Sequence, residues 1–391
     1  MMNSISYKKA LELLQNVSTP HGFLASSEDT ANYQRIWARD GVICGLASLL
    51  DGDLQLINTF KNTLLTLANY QHPLGHIPSN VFFSEKQKTE LSYGGLAGRV
   101  DTISWFIIGV CNYSAIQKDA SFLEQMLPHI EKGLQLLEAW EFNNNHLVYV
   151  PRSGNWADEY ITEGHTFYDQ VLRIWALRCV QSLRPSNKLE DKIAHITAIV
   201  DGNYKSGNFK TPYHPKAYTT LTNSNYWAAS INPSGYQTMY DAFGNSLALL
   251  LDLGTNEFQS KVIAYSEKLR ESLAMKLLPA FWDPITEKCE EWKLLVGNCK
   301  YEFRNYPYEF HNGGTWQMVN GFYGIGVFKY KPEISKEVLV HISRLNSEQS
   351  YGFYENFHTI TQKAIGTKYC SWSAAAEIIL TQYSNGKKFL I

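Results

Sequence analysis

The chain has no excess of positive charge: 35 Lys and Arg stand against 37 Asp and Glu, a formal net charge of −2. This speaks against nucleic acid as the main partner, because no surplus is left to neutralise phosphates. Long apolar runs are missing too. The densest, "WFIIGVC" at 105–111, falls far short of the ~20 residues that cross a bilayer. The first residues, "MMNSISYKKALELLQ", lack the apolar stretch of a secretory leader. A soluble, cytoplasmic protein with no membrane contact is expected. The cysteines Cys44, Cys111, Cys179, Cys289, Cys299 and Cys370 are scattered and include no CxxC. The first three fall in apolar helical patterns as buried thiols, and only Cys289 and Cys299 offer a pair, in an oxidising compartment. There is no GxGxxG after a strand, no Walker loop and no GxSxG, and no cofactor is expected. "HPLGH" spaces His72 and His76 as a helical metal pair, but Pro73 and Gly75 oppose the helix, so no metal is assigned. Neither a Pro/Ser-rich or charged linker nor a repeat of fixed length divides the chain, which reads as one domain over 1–391.

What is plentiful is aromatic: 14% of residues, with 24 Tyr and 10 Trp. Aromatics fill cores, and they also build sugar clefts, where flat faces stack on pyranose rings and Tyr and Trp edges donate hydrogen bonds. Helical periodicity marks twelve segments, at 5–16, 40–50, 53–70, 101–117, 121–140, 166–183, 187–201, 241–253, 256–278, 314–328, 333–346 and 370–384. Part of 285–308 is a candidate β-hairpin around Gly297. The links near 51, 117, 184, 254 and 329 are short, implying antiparallel neighbours. The other connections are long and rich in Gly, Trp and Tyr. Short turns therefore gather at one end and elaborate loops at the other, where function belongs. The pattern suits an all-α (α/α)6 barrel, with a bundle or solenoid as alternatives.

The loops hold the chemistry. Asp40, beside Arg39 in "QRIWARDG", is either a first-turn acid paired with Arg35 or Arg39, or an acceptor for a polyol. Asp101 and Asp241 stand where helix N-caps belong. Tyr236, Gln237 and Tyr240 lie just before Asp241, and "EFHNGGTWQ" brings His311 and Asn312 to a glycine pair. In "RSGNWADEYITEGHTFYDQ", Thr166 and Asp169 have capping-box spacing, which leaves Asp158 and Glu159 spare beside Trp156. An aromatic wall would raise the pKa of Asp158, as a general acid needs. Glu355, in "YGFYENFHTI", is a second spare acid. Two carboxylates at one end of a scaffold are the minimum for glycoside hydrolysis.

These segments resemble two related families, the alkaline/neutral invertases and the amylo-α-1,6-glucosidase domain of glycogen-debranching enzymes. "VDTISWFIIGV" is similar to "VDSGLWWIILL", "EFHNGGTW" to "YHNGGSW" and "NPSGYQTMYDAFGNSLALL" to "SPARMDFRFFALGNCIAIL". "IWARDG", the Asp158 segment and "GFYENFHTITQKAIGTKYCSWSAAAEIIL" also match, in order, from about residue 30 to 385. The resemblance implies an inverting (α/α)6-barrel glycoside hydrolase acting on an α-linked glucoside or sucrose-like disaccharide. It implies Asp158 as general acid and Glu355 as general base. Arg39, Asp40, Asp101, Trp156, Tyr240, Asp241, His311, Asn312 and Trp372 would line the sugar site. Invertases carry two arginines after the acid where this chain has Glu159 and Tyr160, which puts sucrose specificity in question. A sugar epimerase using His311 or His358, a phosphorylase, and a sugar-binding protein without turnover are the competing readings.

Overall fold

The inner face of the molecule is made by helices that are buried on nearly every face rather than along one stripe. In the computed structural model, which describes residues 4–30, 32–84 and 88–391, fourteen helices follow one another. They are α1 (Ile5–Asn16), α2 (Ala38–Asp51), α3 (Leu54–Asn69), α4 (Asp101–Gln117), α5 (Ala120–Ala139), α6 (Phe167–Leu183), α7 (Asn187–Asn203), α8 (Pro215–Tyr218), α9 (Ala242–Leu250), α10 (Asn256–Ser272), α11 (Trp292–Val296), α12 (Gln317–Val327), α13 (Pro332–Tyr351) and α14 (Ser371–Ser384). Each of the twelve expected segments is helical, and the short α8 and α11 lie in long connections. Helix α10 stops at Ser272, short of the expected 278.

Burial separates two sets. Helices α2, α4, α6, α9, α12 and α14 are buried on nearly every face, whereas α1, α3, α5, α7, α10 and α13 bury one stripe each. The buried helices touch in a closed cycle: α2 on α4, α4 on α6, α6 on α9, α9 on α12, α12 on α14, and α14 back on α2. Each carries an amphipathic partner outside it, α3 on α2, α5 on α4, α7 on α6, α10 on α9, α13 on α12 and α1 on α14. Close approach within the cycle depends on small residues. A Cβ at Gly326 of α12 would sit 2.6 Å from the Ser246 carbonyl of α9, and one at Gly321 would sit 2.9 Å from the Ala376 methyl of α14.

The short links do double duty as caps. Asp53, Asp119, Ser186 and Thr255 each close a link and accept a main-chain N–H at the start of α3, α5, α7 and α10. Opposite them the long connections are tied by small antiparallel sheets. Ile36–Trp37 pairs with Asn80–Phe83, which pairs with Thr89–Ser92. His165–Thr166, Ala228–Asn232, Gly235–Asp241 and Phe281–Trp282 form a second sheet, with Tyr240 opposite Trp282. These strands lead directly into α2, α6 and α9 and so fix the entry of those helices. Small hairpins are thus present, but 285–308 forms turns around α11 rather than a strand pair. A run of Lys, Leu and Val over 293–296 closes a helical turn there as readily as it extends. No helix among the described residues is long and apolar enough to cross a membrane. The cysteines are free thiols, Cys289 and Cys299 included.

Candidate active site

Where the long connections meet, carboxylates collect. Asp40, Asp101, Asp158, Glu159 and Glu355 form a linked set whose charges act on one another. Two arginines divide it. Arg39, in the first turn of α2, places Nη1 at 3.1 and 2.8 Å from the two oxygens of Asp101. Both side chains are sealed from solvent, at 6% and 0% exposure. Tyr168 OH also donates to Asp101 at 3.1 Å and itself accepts from Trp105 Nε1 at 2.9 Å. Asp101 is therefore not the N-cap that its position implies; Val100 holds that place, and Asp101 spends its oxygens on Arg39 and Tyr168. Asp40, unlike Asp101, makes no direct ion pair with an arginine among the described residues. Burial raises it to about 6, with Arg39 opposing and the Asp158 and Asp101 charges adding.

Asp158 and Glu355 differ in an unexpected way. Glu355 is buried; Tyr33 OH donates to its Oε1 at 2.6 Å, and Oε2 has no partner among the described residues. Burial lifts its pKa to about 7, with Asp40 and Asp158 adding and Tyr33 and Arg304 opposing. Asp158 goes the other way. Burial pushes it up, but Arg99, His311 and Arg39 together hold it below the ordinary carboxylate range. Arg99 Nη2 lies 2.9 Å from Asp158 Oδ2, and the Asp158 side chain keeps 36% of its surface open. The expected apolar wall is present in Trp156, but the guanidinium on the other side overrides it. The neighbouring Glu159 is half-buried and raised, by burial first and by the Asp158 charge next.

Trp156 is fully enclosed, stacked on Phe281 and edge-on to His311 and Trp316 at 5.0 and 5.8 Å. His311 stacks on Trp316 at 5.0 Å, and burial lowers it to about 4, so the ring is neutral. The nitrogens Trp156 Nε1, Trp372 Nε1, His311 Nδ1 and Arg39 Nε are buried without a partner among the described residues. Glu355 Oε2 is buried in the same way.

Other expected lining residues serve structure. Tyr240 turns outward, its OH 2.7 Å from Ser266 Oγ on α10. Asn312 is a loop staple, bonded through Oδ1 to Ile285 N and through Nδ2 to the carbonyls of Ile285 and Asn305. Asp241 does cap α9, accepting from Gly244 N at 3.0 Å. The Thr166–Asp169 pair forms no capping box: Thr166 Oγ1 donates to Asp169 Oδ2, which also accepts from Asn155 Nδ2 at 2.9 Å. His358 binds its own turn, accepting from Ile360 N and Thr361 N. The segment around α11 walls the acid loop: Asn298 Nδ2 bonds Ser153 Oγ and the Tyr160 carbonyl at 3.0 Å, and Asn305 Nδ2 the Glu159 carbonyl at 2.9 Å. Tyr33, Arg99 and Arg304 are the site residues that sequence reasoning missed. Only Arg99 carried a signal, a lone cation in a glycine-rich loop two positions before Asp101.

The buried acids leave a mark on stability. Burial raises Asp241 to about 7, opposed by the amides of Gly244 and Phe243. The folded chain holds that proton to higher pH than the unfolded one, so stability falls as pH rises from about 4 to about 7, by about 1.4 kcal/mol per pH unit. Asp241→Asn keeps a capping oxygen and removes the titration. Its Tm is expected to match wild type near pH 4 and exceed it at pH 8; a difference that ignores pH would contradict the burial of this acid.

The fold is that of the six-hairpin glycosidases. The chain belongs to the alkaline and neutral invertase family, whose model matches residues 7–203 and 216–385. It is 22% identical to alkaline/neutral invertase C, mitochondrial, of Arabidopsis thaliana, over 91% of this chain and 62% of that protein. It is 21% identical to the Arabidopsis alkaline/neutral invertase CINV2, over 93% of this chain and 74% of the relative. The chain thus spans roughly two thirds of these relatives' length. Among solved structures, the GH63 mannosylglycerate hydrolase of Thermus thermophilus superposes with a TM-score of 0.68 at 14% identity, over 96% of this chain and 99% of that one. That likeness shows the fold alone.

Proposed function

We propose that the protein is an inverting glycoside hydrolase that cleaves an α-glucosidic bond in a sucrose-like disaccharide or a short α-glucan. The cyclic packing of the buried helices, each with one outer partner, supports reading the fold as one (α/α)6-barrel domain. The observation that supports the reaction is that two carboxyls from different connections lie in one field: Glu355, buried with Oε2 unpartnered among the described residues, and Asp158, partly open, whose charge acts on Glu355. Their roles follow the invertase resemblance, since the shifts, Asp158 down and Glu355 up, run opposite to those of an acid and a base. Asp158 delivers a proton to the glycosidic oxygen. Ionised Glu355 takes a proton from the water that attacks the opposite face of the anomeric carbon, which requires a carboxyl separation of roughly 6.5–9.5 Å. Trp156, Trp372, His311, Arg39 and Asp40 hold the sugar, and no cofactor or metal takes part. The composition and free thiols fit a cytoplasmic location.

The test is proton NMR of the anomeric signals at early times with sucrose, maltose, isomaltose and panose. β-Glucose as the first product from an α-linked substrate is expected. Early α-glucose would replace inversion by a retaining route, and an isomerised, unhydrolysed sugar would overturn the hydrolase reading.

A further inference from the structure

A general acid with a guanidinium 2.9 Å from its carboxyl is at first sight badly placed, because the cation resists protonation. The way that cation is held resolves the difficulty. Arg99 Nη1 donates to the carbonyls of Gly94, Gly98 and Ser153 at 3.0, 2.9 and 2.6 Å. Its side chain is 10% exposed against 36% for Asp158, so Arg99 is the fixed member of the pair. The clamp is built into the loop. Gly94 has φ +108°, and a Cβ there would lie 2.6 Å from Arg99 Cγ, so the loop curls round the arginine only with glycine. Val100 N donates to the Gly154 carbonyl at 2.8 Å, fastening this loop to the one that carries Asp158. Nη2 meets Oδ2 alone, and Oδ1 accepts no hydrogen bond among the described residues. The other titratable and charged groups around Asp158 are Arg39 and Asp40 from α2, Glu159 from its own loop, His311 from the segment before α12 and Glu355 from the segment before α14.

We propose that Arg99 is a positioning residue for Asp158: by pinning Oδ2 it makes Oδ1 the oxygen that carries the proton, and it meets the negative charge left behind when that proton departs. In the step itself the O–H bond of Asp158 Oδ1 breaks as the proton joins the glycosidic oxygen. The C–O bond to the sugar breaks with its electron pair leaving on that oxygen, and the resulting carboxylate stays bonded to Arg99. The role rests on the glycosidase reading above. It also sets a cost, since the same contact that stabilises the product carboxylate disfavours the protonated form from which the step starts.

Two readouts test it on the full chain, with Arg99→Gln and Arg99→Lys beside wild type. The first is carboxyl ¹³C NMR titration of Asp158 in the free protein, assigned with Asp158→Asn. Arg99→Gln is expected to move the titration up by about one pH unit or more, and Arg99→Lys to restore part of the difference. The second compares an unactivated glucoside with an α-glucosyl fluoride, whose departure needs little protonation. Arg99→Gln is expected to lower kcat about 10²-fold on the former and far less on the latter, with KM little changed. Equal losses on both substrates, or an unmoved titration, would reduce Arg99 to a structural brace and overturn the proposal. If the titration moves but wild type hydrolyses nothing, the glycosidase reading fails and the acid's role goes with it, while the electrostatic pairing stands.

Discussion

Asp158→Asn is expected to lower kcat on an unactivated α-glucoside about 10²–10⁴-fold while leaving KM within a small factor. The asparagine oxygen can still accept from Arg99, so the loop keeps its shape and the loss reports the proton. Far-UV circular dichroism and Tm should match wild type. A variant retaining more than a tenth of wild-type turnover would move the acid elsewhere. Glu159 is then the first alternative: it adjoins Asp158, is half-buried, and holds its proton more tightly than an ordinary glutamate because of burial and the Asp158 charge.

Arg39→Leu should cost more than any single substitution elsewhere in the cleft. It strands Asp101, whose side chain is wholly enclosed, with Tyr168 as its one remaining side-chain partner among the described residues. Breaking a buried pair from one side costs about 3–5 kcal/mol, because an uncompensated charge is left in the interior. Urea denaturation reads this as a fall in midpoint without a change in slope. Arg39→Leu combined with Asp101→Leu removes both charges and should recover much of the stability, though not the activity. A single variant as stable as wild type would mean that water reaches Asp101 in solution.

The helices were legible because their signal is local: apolar spacing, short Asp- or Ser-bearing links and glycine-rich breaks all sit within a few residues of one another. The roles of individual acids were not legible, because a carboxylate's role depends on its partner. Asp101 stands where a cap belongs, yet Arg39, distant in sequence, claims it. Asp169 has capping-box spacing and is instead held by Thr166 and Asn155. Trp156 announced an apolar environment for Asp158, while Arg99, which reverses its effect, reaches it from another connection. Tyr240 and Asn312 lie within cleft-forming segments and face away or inward, a matter of side-chain direction that spacing does not encode.

The two positions that differ from the invertase pattern gain meaning from the structure. Tyr160 is buried, stacked at 4.6 Å on Phe281, and is a packing residue rather than a leaving-group contact. Glu159 adds negative charge beside the acid, with Arg99 and Arg304 as the nearby cations that oppose it. The charge beside Asp158 is thus set by cations from other loops, and on the proposed reading that is where substrate preference should be sought by substitution.

The closure of the buried cycle between α2 and α14 also constrains how the molecule is made. Near the C terminus, the Leu390 carbonyl accepts from Trp175 Nε1 at 2.8 Å, and Asn112 Oδ1 accepts from Leu390 N at 2.7 Å. A ribosome that has released α2 through α12 has put out five helices that the finished fold buries on nearly every face, with the cycle still open. Until α14 emerges, those surfaces have no final partner and are exposed to one another and to other chains. Helix α14 emerges after the other five and completes the neighbourhood of α2, so vectorial synthesis delays the burial that stabilises the helices before it.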